Sequence, residues 1–249
     1  MIIFNLFKKY GILLVSLALL GSLFSFPAGA QTTPKIPTIT LPTNPNFDLV
    51  ISWRATNYVP ANYQGKIMPS NNSSVVVSFD ALDQGKFVDL SKQNIIWYLG
   101  DNFLQSGIGL KSVKFTVNQL NPVISISIPN YKDAKYSAGD IEGVITIPTT
   151  SAKVVIDAPY PAKAIKIGNN LFQALPYFFN ISNLNQLNIS WSVDGSDVSS
   201  QSGNASILNL TTATQGSPAV GANTSINVTA QNPASDFEFA RGYINLDIK

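Results

Sequence analysis

Ile96-Trp97-Tyr98-Leu99-Gly100-Asp101-Asn102 is an apolar strand that runs straight into a turn, and the chain carries it twice. The echo is Ser190-Trp191-Ser192-Val193-Asp194-Gly195-Ser196, about one small domain further on. Each copy follows an apolar stretch and precedes a Ser-Gly pair, Ser106-Gly107 and Ser202-Gly203, and then an alternating strand. A tryptophan in mid-strand suits the space between two packed sheets, and Asp, Gly and Asn tolerate the backbone of a tight reversal. Trp97 and Trp191 are therefore the candidate core residues of two related modules, and Trp53 sits in a first strand that is either core or edge.

Working outward, short apolar runs alternate with turn clusters. Leu49–Trp53, Val75–Phe79, Ile95–Leu99, Val113–Val117, Val123–Ile128 and Ile141–Ile147 read as strands of a first module. The second begins at Lys153–Ile156, breaks at Ala158-Pro159-Tyr160-Pro161, and continues through Phe172–Ile181, Leu187–Val193, Ser206–Leu210, Ser225–Val228 and Tyr243–Ile248. Val123–Ile128 followed by Gly143-Val144-Ile145 matches Ile226–Thr229 followed by Gly242-Tyr243-Ile244. Near-regular spacing with turn signals between indicates sandwiches. The expected division is 47–157 for the first sandwich and 158–249 for the second, with the boundary near Asp157-Ala158-Pro159.

Composition agrees with an all-β chain. Of 249 residues, 45% are hydrophobic and only 12% charged. Glu142 and Glu238 are the only glutamates, and Arg54 and Arg241 the only arginines, whereas amphipathic surface helices use many such residues. A net charge of +2 leaves no footprint for nucleic acid. There is no cysteine and no histidine, so disulfides, thiolate metal sites, a Ser-His-Asp triad and histidine zinc sites are excluded.

Lys8 and Lys9, an apolar run from Gly11 to Phe26, and Pro27-Ala28-Gly29-Ala30-Gln31 follow the order of a secretory signal peptide. Residues 1–30 are expected to form that signal helix, cleaved between Ala30 and Gln31. The apolar run also approaches a bilayer crossing, so an uncleaved anchor remains the alternative. Residues 31–46 carry prolines at 34, 37, 42 and 45. They read either as an extended spacer reaching roughly 50 Å or as a mature N-terminus without a role.

Val75-Val76-Val77-Ser78-Phe79-Asp80-Ala81, followed by Trp97-Tyr98-Leu99-Gly100-Asp101-Asn102, resembles the PKD-type module of bacterial surface proteins. That family shows Phe-Asp-Ala at a strand end and then Trp-x-Phe-Gly-Asp-Gly. Leu99 and Asn102 depart from it, and the family's His-x-Tyr and Gly-x-Tyr signals are missing. The second module keeps Trp191-Ser192-Val193-Asp194-Gly195. The resemblance implies the broader class: two Ig-like/PKD-like β-sandwich domains in tandem, of the kind used as spacers, adhesion units or accessory domains. Fold alone does not choose among these.

Other constellations have plain readings. Tyr177-Phe178-Phe179 in one strand would put aromatic rings on both faces. One face fills the core; the other, represented by Tyr177 and Phe179, contacts either the neighbouring module or an external partner. Asp80, Asp83, Asp89 and Asp101 could gather around calcium, but no loop has a dedicated calcium motif and turn capping accounts for each. Asp194 and Asp197 read the same way. Paired carboxylates for glycan hydrolysis have only sequence proximity behind them. No Ser-x-x-Lys signature and no Gly-rich phosphate loop occur.

The sequence thus implies an exported, non-enzymatic structural, adhesive or protein-interaction module, secreted or held at the cell envelope, with no catalytic, metal or cofactor-binding residues. Its partner would be a protein or a glycan at the cell surface, met by loops or by strand edges. Any membrane contact would run through an uncleaved N-terminus. A carbohydrate-binding accessory protein is the alternative, and it requires a flat row of exposed aromatics. A carboxylate-dependent glycan hydrolase ranks below it and requires two carboxylates converging in a cleft.

Overall fold

The β-branched alternation of Ser74–Asp83 makes a ten-residue strand whose inward side chains Val75, Val77, Phe79 and Ala81 are all buried. β-strands over Val123–Tyr131 and Asn223–Gln231 follow the same alternation. The computed structural model describes residues 47–132, 139–200, 203–212 and 221–249, which lie in one compact unit, Pro42–Lys249. The expected signal helix, the spacer and the Ala30/Gln31 cleavage site lie outside the described residues.

The first module uses β1 (Asp48–Ala55), β2 (Ser74–Asp83), β3 (Lys86–Phe87), β4 (Asn94–Leu99), β5 (Asn102–Ile108), β6 (Ser112–Thr116), β7 (Val123–Tyr131) and β8 (Gly139–Thr146). One sheet has β2 between β1 on one side and β3 and β6 on the other; the facing sheet runs β5-β4-β7-β8. The second module uses β9 (Lys153–Asp157), β10 (Ala164–Ile165), β11 (Gly168–Tyr177), β12 (Asn188–Val193), β13 (Ser196–Val198), β14 (Ile207–Thr212), β15 (Asn223–Gln231) and β16 (Phe239–Ile248). Its sheets run β14-β11-β9 and β10-β16-β15-β12-β13. Both are Ig-like sandwiches that share seven strands in one order, to which the first adds β3 beside β2 and the second adds β10, parallel to β16, and each has its own apolar core.

The repeat is one of registers. Trp97 lies opposite Ile126, which lies opposite Gly143; Trp191 lies opposite Val228, which lies opposite Gly242. Both indoles are buried, and each donates its N–H to a carbonyl just before the next strand of the other sheet. Trp97 reaches Leu110 O at 2.8 Å and Trp191 reaches Ala205 O at 2.9 Å. A buried indole N–H needs that partner. The hairpins after them differ in a readable way. Gly100 leads Asp101 because the first central residue takes φ 58°, whereas Asp194 and Gly195 both sit at positive φ, 51° and 80°. These are the demands of the two short hairpin turn classes.

Two sequence expectations need correction. β9 pairs with β11, and Val154 belongs to the second core, so the second sandwich starts at Lys153 and not at residue 158. Ala158-Pro159-Tyr160-Pro161 is a break within that module, after its first strand. Phe172–Ile181 is not one strand either. β11 ends at Tyr177, and Phe178 turns the chain at φ 63°. Phe178 is held there by donating its N–H to Tyr58 O at 2.7 Å.

Candidate interaction surface

The connection between β1 and β2 of the first module, residues 56–73, does more than join two strands. Tyr58 forms an isolated antiparallel bridge with Phe179, donating to its carbonyl at 2.8 Å. Tyr63 sits edge-on to Tyr177 and Phe178, with ring centroids 5.8 and 5.7 Å away. Asn57, buried, donates Nδ2 to Phe178 O and to Ser70 Oγ, both at 2.8 Å. The connection therefore ties the first module onto the second.

Glu238 completes the knot. It is buried where β15 turns into β16, and both carboxyl oxygens accept hydrogen bonds. Ser70 Oγ of the first module donates to Oε1 at 3.1 Å, the Asn180 amide donates to the same oxygen at 2.6 Å, and Asn232 Nδ2 donates to Oε2 at 2.6 Å. Asn180 Nδ2 also donates across the junction to Asn72 O at 3.0 Å. Buried polar groups are tolerated when satisfied in this way, and together they hold two modules in one orientation.

Beside the knot lies an open cleft of about 590 Å³. Its floor is made by Ser70, Glu238 and the inter-module segment Thr149–Ala152. Its rim carries three exposed apolar side chains, Leu120 at 86%, Phe237 at 89% and Phe239 at 53%, among the exposed amides of Asn71, Asn118 and Gln119. These residues come from the β6–β7 turn of one module and the β15–β16 turn of the other.

From Phe239 the exposed chemistry continues up β16. Phe239, Arg241 and Tyr243 point outward, Tyr243 being 77% exposed, while Ala240, Gly242 and Ile244 point inward. Cross-strand register extends each into a row. Phe239 lies beside Gln231 and Asn188, Arg241 beside Thr229 and Ser190, and Tyr243 beside Asn227 and Ser192. The result is a sheet face of amides and hydroxyls with two aromatic rings along one side.

The residues singled out from sequence fall elsewhere. Trp97 and Trp191 are buried in the two cores, and Trp53 is half-buried with Lys66 Nζ 3.7 Å above its ring. Phe179 is wholly buried in the second core, which leaves it no surface for a partner. Tyr177 is half-buried against Tyr63 at the module junction. Asp80 pairs with Lys111 at 3.0 Å, and Asp89 accepts from the Ser91 amide at 2.9 Å. That amide, then the Ser91 hydroxyl, holds the Asp89 carboxyl below the ordinary aspartate value. Asp194 caps its hairpin through Thr224 Oγ1 and the Ser225 amide. Among the described residues no three Asp or Glu side chains gather to hold a metal ion.

Sequence reasoning missed β16's first half. Its inward residues there are Ala240 and Gly242, too small to signal a buried face, while the large side chains point to solvent. The readable signal was Phe237-Glu238-Phe239, a carboxylate between two aromatics in a chain with only two glutamates.

No protein-family model matches the chain, and no curated protein matches it in sequence. Solved structures of tandem β-domains align with the chain at low identity. The three N-terminal domains of the highly immunogenic outer capsid protein (Hoc) of bacteriophage RB49 align over 82% of this chain at 8% identity, TM-score 0.42. The chain spans 59% of that Hoc fragment. The fibronectin(III)-like modules of CbhA from Clostridium thermocellum align over 80% of this chain and 95% of theirs, with 12% identity and TM-score 0.25. Immunoglobulin domains 1–4 of Sidekick-1 align over 88% of this chain and 73% of theirs, with 12% identity and TM-score 0.24.

Proposed function

We propose that the protein is an exported, non-enzymatic adhesion or interaction module that works outside the cytoplasm, with its two sandwiches acting as one rigid contact body. The observation that carries this reading is the junction cleft, where Leu120, Phe237 and Phe239 stand exposed around a polar floor. Large apolar side chains left uncovered together mark contact surfaces. The knot at Glu238 supports the same reading, because rigid presentation lowers the ordering cost of binding. Of the aspartates considered for chemistry, Asp89 and Asp194 accept hydrogen bonds from nearby backbone amides and Asp80 forms an exposed ion pair.

The test has two arms. Cell fractionation with N-terminal sequencing should find the protein outside the cytoplasm, beginning at Gln31. Purified protein should bind the envelope of the parent cell. Leu120→Ser with Phe237→Ser should weaken that binding about tenfold, as the loss of a central apolar anchor does. A cytoplasmic protein with no affinity for the envelope would overturn the proposal.

A further inference from the structure

We infer that the outer face of β12, β15 and β16 is a glycan-binding surface that takes an uncharged polysaccharide chain. This rests on the reading of the protein as a contact module and names the ligand class for one of its faces. The face presents Ser190 and Ser192 on β12, Asn227 and Thr229 on β15, and Phe239 and Tyr243 on β16. Register places them in adjacent rows, so they form one continuous plane. Four residues of strand separate the two rings, roughly 13 Å along β16.

The chemistry selects the ligand. A protein-binding patch concentrates aromatic, Met and Arg side chains at its centre and is depleted in serine. Here the centre is serine, threonine and asparagine, and the aromatics stand at one border. Among the described residues none gives the side chains of Ser190, Ser192, Asn227 or Thr229 a hydrogen-bond partner, so their donors and acceptors face solvent. Such groups match the hydroxyls of a sugar chain, and the face of an aromatic ring beside them offers a platform for its apolar C–H groups. Beside Ser192 the row continues to Asp197 on β13, so the face carries one charge of each sign, Arg241 and Asp197. With no net charge to attract an anion, it favours a neutral chain over an anionic one. A strip three strands wide and open at both ends suits a linear polymer, not an enclosed small molecule.

The test uses the full mature protein in affinity electrophoresis and calorimetry against soluble uncharged β-glucan, mannan and xylan, with alginate as the anionic comparison. At least one neutral polymer should retard the protein. Tyr243→Ala and Phe239→Ala should each weaken binding about tenfold, and Tyr243→Phe should retain it. Phe87→Ala, an exposed ring in the first module, should change nothing. Unchanged melting curves establish that each variant is folded. In parallel, envelopes are treated with periodate or with protease before binding. Loss of binding after periodate but not after protease supports the inference. Retardation by alginate alone overturns it, as does envelope binding that survives periodate and is lost after protease. That last result would leave the contact-module reading standing, whereas no envelope binding at all would remove it.

Discussion

The two modules solve one packing problem with the same skeleton and different flesh. Phe79 donates its amide to Lys111 O, and Ala174 occupies the equivalent place, donating to Ser206 O. Two residues earlier, Val77 pairs with Val113, whereas Phe172 pairs with Leu208. The aromatic ring has moved two residues along the strand, from the place of Phe79 to that of Val77. In the first module Phe79 meets Trp97 edge-on at 5.5 Å. In the second, Phe172 packs against Tyr160 at 5.4 Å. Repeats of this kind drift in sequence as long as the core stays filled.

The sharpest break of the comparison is at the indoles. Trp97→Ala and Trp191→Ala should each cost about 3–5 kcal/mol, because each removes the largest core side chain and orphans a carbonyl. Urea unfolding followed by a probe in each module should show the loss first in the mutated one. Equal loss in both would mean that the modules share one cooperative unit.

Glu238 decides how far they are coupled. Glu238→Ala should cost about 2–3 kcal/mol, since the Asn180 amide, Ser70 and Asn232 all lose an acceptor. Calorimetry should then find the unfolding of the two modules further apart in temperature than in the native protein.

The paired glycines give a finer contrast. A Cβ on Gly242 would meet Val154 O of β9 at 2.7 Å, which is backbone. On Gly143 it would meet Leu49 Cδ1 of β1 at 2.5 Å, the far end of a side chain that can swing away. Gly242→Ala should therefore destabilise by about 1–3 kcal/mol and Gly143→Ala by less than about 1 kcal/mol. Thermal melts of the two variants check the order.

The smallest effect concerns Asp89, which has no counterpart in the second module's capped hairpin. Its folded pKa lies below its unfolded value, so its stabilising contribution is present above the ordinary aspartate range and fades as pH falls through the folded value. Asp89→Asn should lower the urea midpoint slightly near neutrality. The difference should close as pH falls below the ordinary aspartate value.

Much of this was legible. The indole echo, the alternation of β2, β6 and β7, and the Gly143–Gly242 match could be read because large β-branched residues point inward at period two. The candidate surface was not legible for the converse reason: in β16 the bulky residues Phe239 and Tyr243 point outward and the inward ones are small. The junction also escaped, because residues 56–73 look like an ordinary loop. Only the fold shows that Asn57, Tyr58 and Tyr63 are spent on the neighbouring module. Phe178 at positive φ is a tertiary override, since an aromatic there is strained unless its amide and ring are both held.

The junction bonds run between amides, hydroxyls and one carboxylate, with no lysine or arginine among them. Mobile ions chiefly weaken attractions between opposite charges near the surface. A joint with no cation to be shielded keeps its geometry in dilute and in concentrated salt alike.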